Sequence, residues 1–454
     1  MPLASLPSLP SLLSLGAMPL GPMPLASLPS LPSLPSLGAM PLASLLSLGI
    51  MLPKTAIIAT LVFLLLCTAA FMYWHPGVFP MHGFTGPEDY VPSPAHVRLT
   101  GDSWRYISGG KAVMEGEPLD SVQHSYSGYC LVYGLARSCI VLFQVAVAVL
   151  ALLAITSLAG QAWREMKGNE QWEWLPCLLT GGLFALNPEY AAWHCAIMTE
   201  SLYISVVCIN AWLAHWALGG PRRQRMFLVF TIVFITAFLR PTGWIQLPAV
   251  VCYWIYASIL TPRRKLGFML LTAVLFFLFA VCFASRGISN QGPTMKLYTG
   301  EVVWQEDLWR VNMPAPKDIT RTGIADGLLY GLRHPLASAW LVAKRLFVMF
   351  LRIRPSYSRL HNLALLAYHL PIALLGLAAL VLLRRHPAVS VITAMVAAHA
   401  LVVALTFNDN DGRFTLYFTP LLATAAVLLI CAGCSKIVAL RTTQESSRPA
   451  PHPP

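Results

Sequence analysis

Charged side chains are scarce in this chain of 454 residues. Asp, Glu, Lys and Arg supply 11% of the residues, against roughly 25% in soluble domains, whereas hydrophobic residues supply 56%. This composition excludes an ordinary soluble domain, because too few polar residues are present to cover its surface. It predicts an integral membrane protein with apolar runs of about 17 to 23 residues, long enough for helices that cross a hydrocarbon core of about 30 Å.

Acidic residues are the rarer charge, 19 against 31 Lys and Arg, which gives a formal net charge of +12. Basic residues occur in short clusters between apolar runs, so membrane topology and lipid phosphate explain them better than nucleic acid does. A disulfide pattern is also lacking, since most of the ten cysteines lie inside apolar runs, as small core residues do. Cys431 and Cys434 form a C-x-x-C without a second pair or a nearby His, which disfavours a metal or redox site.

Residues 1–50 contain no charge and repeat the motif MPLAS from Met1, Met23 and Met40. Proline at this density prevents a continuous helix, and the basic region of a secretory signal is lacking. We therefore expect a low-complexity segment, disordered or belonging to a mis-assigned start. The natural start is predicted at Met51, where one lysine precedes the first apolar run.

The apolar runs predict an all-α polytopic domain over residues 51–434, with about ten transmembrane helices and a cytoplasmic tail, 435–454. The predicted spans are residues 55–74, 138–160, 174–190, 196–218, 226–240, 244–260, 266–284, 362–383, 388–406 and 414–434. Lys and Arg occupy every second connection, so the positive-inside rule places those connections and both termini in the cytoplasm. The long connections 75–137 and 285–361 then lie outside a bacterial-type inner membrane.

Residues 336–353 are apolar enough to resemble a further span. Counting them as one would place the acidic NDND sequence that begins at Asn408 on the same side as the basic connections. Lys344 and Arg345 in the middle of the segment favour an amphipathic helix that lies in the outer interface.

Polar residues unusual for a membrane protein then share the outer face. Asp102 lies in the first outer connection, and Glu200 lies inside an apolar run, where a carboxylate is expensive and usually faces a partner or a cavity. The other outer residues of this kind are Glu189, Arg240, Asp411 and Arg413. Single charges at the ends of membrane spans also commonly anchor a helix at the interface, which is the alternative role for Arg240 and Arg413.

The order of these motifs resembles the GT-C membrane glycosyltransferases. It comprises Asp102 with Tyr106, the segment from Pro188 to Tyr203 with MTESLY, the sequence FLRPTG from Phe238, and D-x-R-F from Asp411. The most similar branch contains the protein O-mannosyltransferases and the lipid A aminoarabinose transferases, a glycosyltransferase family 39-like group. Ser103 follows Asp102 where that family commonly has Asp-Glu, so the resemblance does not extend to a particular acceptor.

The resemblance implies transfer of a sugar from a polyprenyl phosphate to a glycan, lipid or protein outside the cytoplasm. Such chemistry needs cations on the leaving phosphate and a base for the acceptor hydroxyl. We expect Asp102 to be the base and Arg240 to bind the phosphate, with Lys111 and Arg413 as weaker candidates. Arg345 or Arg352 would contribute if the interfacial helix lies beneath the site.

Other residues have less specific expected roles. Glu200 is a catalytic candidate that could position Asp102, Arg240 or a divalent metal, and the sequence leaves metal dependence open. The expected substrate-binding residues are Tyr106, His124, Glu189, Trp304 and Asp411. Trp304 belongs to an outer tryptophan- and carboxylate-containing stretch that also includes Glu306, Asp307 and Trp309, a combination that suits sugars, although tryptophan is common at any membrane interface.

Two other classes of function remain. About ten spans with charges at membrane depth would also suit a transporter or flippase of lipid-linked sugars, but the polar residues lie on one face rather than at the midplane. A polysaccharide polymerase or ligase of similar topology would use a lipid-linked oligosaccharide as donor.

Overall fold

The computed structural model describes residues 54–73, 102–166, 168–219, 222–258, 297, 299–303, 307–315, 324–354, 357–408 and 412–446. All of these belong to one compact unit, Leu52–Pro454. The low-complexity segment 1–50, the predicted span 266–284, and the predicted site residues Trp304 and Asp411 lie outside the described residues.

The described chain is helical. Its α-helices, in order, are α1 Lys54–Tyr73, α2 Ser103–Glu115, α3 Ser121–His124, α4 Ser127–Ala136, α5 Ile140–Glu165, α6 Trp174–Ala185, α7 Pro188–His194, α8 Thr199–Trp216, α9 Arg222–Leu239, α10 Gln246–Ser258, α11 Ile324–Arg333, α12 Pro335–Leu351, α13 Arg359–Leu382, α14 Pro387–Leu405, α15 Arg413–Leu416 and α16 Thr419–Ser446. Within these ranges the single β-type contact is an isolated parallel bridge between Val303 and Asn408.

Among the helices of the described ranges, four are long and apolar enough to cross a membrane: α5, α13, α14 and the Thr419–Ile437 part of α16. Shorter apolar stretches lie in α1, over Ile58–Cys67, and in α9, over Phe227–Leu239. Helices also occupy the predicted spans 174–190, 196–218 and 244–260, but they do not meet the length and hydropathy of a span. The chain is therefore a helical membrane protein, and the predicted number of about ten spans is not reached by these four.

The predicted span 174–190 departs most clearly from the structure, because helix α6 ends at Ala185. Asn187 then begins a new helix: its side chain accepts a hydrogen bond from the Glu189 N–H at 2.9 Å, and Pro188 occupies the first helical turn. Asn is a preferred N-cap and proline suits the first turn of a helix but not its interior. The Asn-Pro pair therefore divides the run, and α6 is about 18 Å long, short of a hydrocarbon core.

The predicted outer connection 75–137 contains a helical hairpin made by α2 and α4. Glycines allow the two helices to approach closely: a Cβ atom on Gly110 would lie 2.6 Å from the Tyr133 ring and 3.0 Å from the Cys130 carbonyl oxygen. Asp120 begins α3 between them with a capping box, in which its carboxylate accepts from the Gln123 N–H at 2.7 Å. The hairpin holds Asp102 immediately before the first turn of α2.

Helix α12 coincides with the predicted interfacial segment 336–353, but it directs its arginine inward. Arg345 is fully buried and donates from Nε and Nη2 to the Glu301 carbonyl oxygen, at 2.9 and 2.7 Å, and from Nη1 to the Ala404 carbonyl oxygen at 3.0 Å. Burying a guanidinium is tolerated here because carbonyl dipoles accept its N–H groups. Arg345 therefore joins the 299–303 segment to the end of α14, and phosphate binding by this residue is not supported.

The end of the bundle that lies away from Asp102 has a polar contact of its own. His215, in the last turn of α8, lies 2.8 Å from Glu165 through Nε2 and 2.8 Å from the Tyr253 hydroxyl through Nδ1. The Glu165 carboxylate also accepts from the backbone N–H of Ala388 at 3.4 Å. These bonds hold together the ends of α5, α8, α10 and α14 that lie away from Asp102.

Candidate functional site

Five charged side chains from distant parts of the sequence meet at one end of the helix bundle, which we call the site end. They form a first cluster, in which carboxylates and guanidinium groups alternate: Arg105, Asp102, Arg413, Glu200 and Arg240. The segments that carry them are the start of α2, the start of α8, the turn after α9 and the start of α15. The polar segments for which the sequence predicts a shared face therefore meet here.

The distances within the first cluster are those of ion pairs. The Asp102 Oδ1 atom lies 3.3 Å from Arg105 and its Oδ2 atom lies 3.1 Å from Arg413. The Nη1 atom of Arg413 is also 3.3 Å from the Glu200 carboxylate, so this one guanidinium joins the two acids. Three positive and two negative charges leave the cluster with a formal excess of one positive charge.

Glu200 is fully buried, which is costly for a carboxylate unless it is paired. Its Oε1 atom accepts from Arg240 Nη1 at 2.5 Å, and its Oε2 atom accepts from the Thr199 hydroxyl at 3.1 Å. Arg240 donates from the same Nη1 to the Thr199 hydroxyl at 2.8 Å. Among the residues that the structure describes, no hydrogen bond uses the Nη2 or Nε groups of Arg240.

The position of Asp102 is fixed by its neighbours along the chain. The next residue, Ser103, is buried and donates from its hydroxyl to the Ile197 carbonyl oxygen at 2.9 Å. This bond fastens the start of α2 to the segment that leads into Glu200. Asp102 itself keeps about a third of its side chain exposed, 34%, and is the more accessible of the two acids.

Aromatic rings surround the first cluster. The guanidinium carbon of Arg240 lies 5.0 Å from the centre of the Tyr417 ring and 5.6 Å from that of Phe414, and Arg413 lies 5.8 Å from the Trp193 ring. Such contacts stabilise cations that have lost water. Tyr106 packs edge-on against Tyr126 and Tyr129, and burial there raises the pKa of its phenol well above the ordinary value, so Tyr106 stays neutral.

A second cluster lies at the same end and consists of Glu189, Arg352 and His369. Both carboxylate oxygens of Glu189 accept from Arg352, each at 2.7 Å, in a bidentate pair. The Nε2 atom of His369 lies 3.2 Å from the same carboxylate. Glu189, expected to bind substrate, and Arg352, expected to assist with phosphate, are thus bonded to each other in this structure.

The two clusters approach one another at Gly412. Its φ of +65° is left-handed, and a Cβ atom there would lie 2.8 to 3.1 Å from the guanidinium of Arg352. Arg352 is itself one of two non-glycine residues with a positive φ in the described chain, at 56°. Since Arg413 follows Gly412 directly, this contact places the second cluster one residue away from the guanidinium that joins Asp102 to Glu200.

Two predicted site residues do not join these contacts. Lys111 is exposed on α2, about 12 Å along the helix from its first residue. His124 is exposed at the end of α3. No hydrogen bond, ion pair or ring contact within the described ranges links either residue to the first or second cluster.

Comparison with known proteins gives no relative. No family model, no curated protein and no solved structure matches this chain. The interpretation of the site therefore depends on its geometry and on the motifs in the sequence. In the described part of the chain, no group of three His, Cys, Asp or Glu side chains is placed to hold a metal ion.

Several members of the two clusters and residues in contact with them are missing from the residues that the sequence singled out. Arg105 had a local signal, because it follows Asp102 by three residues on the same helix, where acid and base side chains meet. Thr199 directly precedes Glu200 and belongs to the MTESLY motif. Trp193 and His369 had no such signal, since each meets its charged partner across more than 150 residues of sequence.

Proposed function

We propose that this chain is a GT-C-type membrane glycosyltransferase that moves a sugar from a polyprenyl phosphate donor to an acceptor on the extracytoplasmic side. The observation that carries the proposal is the first cluster, in which an accessible carboxylate, Asp102, lies beside guanidinium groups that exceed the acids by one charge. This combination supplies a base for the acceptor and positive charge for a departing phosphate.

The change in charge during the proposed reaction matches the excess of one positive charge in the first cluster. The acceptor oxygen forms a bond to the anomeric carbon as the bond from that carbon to the phosphate oxygen breaks, and the acceptor proton passes to Asp102. The phosphate begins as a diester with one negative charge and leaves as a monoester that carries one more. Guanidinium groups that are already in place stabilise the added charge without reorganising at the moment of reaction.

The roles of the individual residues follow from how fully each is engaged. Asp102 accepts one contact on each oxygen, which leaves lone pairs for an acceptor hydroxyl. Glu200 holds Arg240 and Arg413 at fixed positions. Arg240 is buried but retains its Nη2 and Nε donors for a phosphate, and Arg105, with 36% of its side chain exposed, is the cation that a ligand reaches most easily.

The proposal includes the membrane arrangement predicted from the basic connections, with about ten spans in a bacterial-type inner membrane and the site end outside. Support comes from the four long apolar helices and from the meeting of Asp102, Glu200, Arg240 and Arg413 at one end. Single cysteines placed at Glu117 and at Gln224, both exposed, test the orientation. In intact cells an impermeant maleimide should label the cysteine at 117 and spare the one at 224, and the reverse pattern would contradict the proposed side.

The activity itself is tested with the purified full chain in lipid nanodiscs. We expect one member of a panel of polyprenyl-phosphate sugars, given with extracytoplasmic glycan, lipid or protein acceptors, to release polyprenyl phosphate at a rate that Asp102→Asn abolishes. Asp120→Asn is the matched control, because Asp120 caps a helix in the same hairpin and contacts no member of the first cluster. Movement of an intact lipid-linked sugar across the bilayer of sealed proteoliposomes, without release of polyprenyl phosphate, would instead support a flippase.

A further inference from the structure

Helix α12 runs along the site end of the bundle. The Nη1 group of Arg345 donates to the carbonyl oxygen of Ala404, in the last turn of α14, and the side chain of Asn408 donates to the Arg345 carbonyl oxygen at 2.8 Å. One turn further on, the Thr415 hydroxyl donates to the Met349 carbonyl oxygen at 2.9 Å. Residues 404–415 connect α14 to α16, two of the four helices that are long enough to span a membrane. The second half of α12 therefore lies at the level where these helices end.

The first half of α12 lies at the same level. Leu341 is buried in a small apolar cluster with Val302 and Val303. The backbone N–H of Asn408 donates to the Val302 carbonyl oxygen at 2.8 Å, which ties this cluster to the same connection between α14 and α16. Leu341, through Val302, and Arg345, four residues further along α12, are thus both tied to the connection between α14 and α16. This is expected for a helix that lies parallel to the membrane plane. A helix that spans the membrane would move away from it by about 1.5 Å per residue.

The outward face of α12 is apolar. Leu336, Trp340 and Phe347 are 85%, 61% and 57% exposed, and their spacing of four and seven residues places them on one side of the helix. Of the two charged side chains of α12, Arg345 is buried in the bundle, and Lys344, at the edge of the apolar face, is half-buried with its Nζ atom 6.0 Å from the centre of the Trp309 ring. This is the reverse of a helix that packs on a protein and faces water, in which the outward side chains are polar.

Neighbouring elements extend this face. Leu329 and Leu332 of α11 are exposed, and α12 packs against α13, whose exposed residues include Leu360 and Leu363. Helix α13 is one of the four candidate spans, so its exposed leucines face lipid. The apolar face of α11 and α12 is thus continuous with a surface that the bilayer covers.

We infer that α11 and α12 lie in the plane of the membrane with this face in the acyl chains of one leaflet. The partner of the surface is lipid hydrocarbon, and the inference does not depend on the proposed function. At about 25 Å, α12 is also shorter than a hydrocarbon core of about 30 Å, which suits a helix that lies in one leaflet better than one that spans it.

Spin labels measure the depth directly. Single labels are attached to cysteines at Leu336, Trp340 and Phe347 in the full chain, in a background where the exposed Cys139 and Cys434 are replaced by Ser. Power saturation in nanodiscs compares collisions with oxygen, which enters hydrocarbon, and with a water-soluble nickel chelate. We expect all three labels to collide mainly with oxygen and to lie within about 5 Å of one depth, less than one helical turn of rise.

A matched pair of labels calibrates this result. Leu363 and Leu374 on α13 are separated by the same eleven residues as Leu336 and Phe347, and both are exposed. They should differ in depth by about 16 Å if α13 spans the bilayer. A comparable difference between 336 and 347 would overturn the inference, because α12 would then also span. Labels that collide mainly with the nickel chelate, or that broaden one another across two copies of the chain, would overturn it as well.

Discussion

The two ionic clusters at the site end use the same chemical groups in different ways. In the second cluster Arg352 and Glu189 spend two N–H groups and both carboxylate oxygens on each other, and the Arg352 side chain is 1% exposed. In the first cluster every hydrogen bond that Arg240 makes within the described residues passes through Nη1, and Asp102 keeps 34% of its side chain exposed. Buried bidentate pairing holds elements together, whereas shared and partial pairing leaves donors and acceptors for a ligand.

The comparison separates a binding role from a structural one. A ligand-binding cluster should respond to substitution in turnover more than in stability, and a buried bidentate pair should respond in stability first. Four sets of substitutions test this difference, beginning with the largest expected effect.

Asp102→Asn should lower turnover of the accepted donor by about 10²- to 10⁴-fold, the usual cost of removing a general base. Asparagine keeps the size of aspartate, so folded yield and donor binding should remain close to those of the wild type. Single-turnover rates and donor affinity, measured side by side in nanodiscs, check the split. Turnover that stays near the wild-type value would move the role of base to another residue, with Glu200 the next candidate.

Arg352→Ala should destabilise the fold by about 3–5 kcal/mol, because Glu189 would be left as a mostly buried carboxylate without its bidentate partner. Thermal unfolding in detergent is the measurement. The double variant Glu189→Gln, Arg352→Gln removes both charges and should recover part of the loss. If Arg352→Ala unfolds at the wild-type temperature, the second cluster does not hold the fold together.

Gly412→Ala should cost more stability than Gly116→Ala. Both glycines have a left-handed φ, +65° and +73°, which costs an alanine about 1–2 kcal/mol. A Cβ atom on Gly116 meets nothing within 4 Å, whereas one on Gly412 meets the guanidinium that Glu189 holds. The difference in thermal unfolding between the two variants measures the contact between Gly412 and Arg352. Equal losses of stability would show that the Arg352 side chain moves aside without an energetic cost.

Arg105→Ala and Lys111→Ala should differ modestly in their effect on donor binding. Arg105 contacts Asp102, so its loss should weaken donor binding several-fold, within the range of about 0.2–1 kcal/mol that exposed ion pairs contribute. Lys111 lies about two turns further along α2 and makes no contact with the cluster within the described residues, so its variant should bind donor almost as the wild type does. Titration of the donor in nanodiscs compares the two, and a larger effect at Lys111 would restore the role that the sequence suggested.

The helical membrane character of the chain could be predicted from the sequence, because apolar runs and the breaks between them determine helices locally. The run that became α6 and α7 shows the limit, since Asn187 and Pro188 end one helix and begin another inside a continuous apolar stretch. Asp102 and Arg240 could be proposed from their positions in outer connections, and Glu200 from its position inside an apolar run. The Arg352–Glu189 pair could not, because its partners are 163 residues apart and only tertiary packing brings them together.

The same limit applies to α12. Its helix and apolar character could be predicted, but Lys344 and Arg345 in the middle of the segment did not indicate which way their side chains point. The structure turns Arg345 inward because two backbone carbonyl oxygens, from Glu301 and Ala404, accept its N–H groups. Backbone acceptors carry no signature in the sequence, so the direction of a buried arginine depends on contacts that a pattern does not contain.

Helix α8 carries Glu200 in its first turn and His215 in its last. Aligned peptide dipoles give a helix about half a positive charge at its start and half a negative charge at its end, so Glu200 lies at the pole that its negative charge favours. Glu200 therefore balances a third source of positive potential besides Arg240 and Arg413. With Glu200 neutralised, the positive end of α8 and both arginines would face the same small volume, and the site end would bind small anions such as chloride.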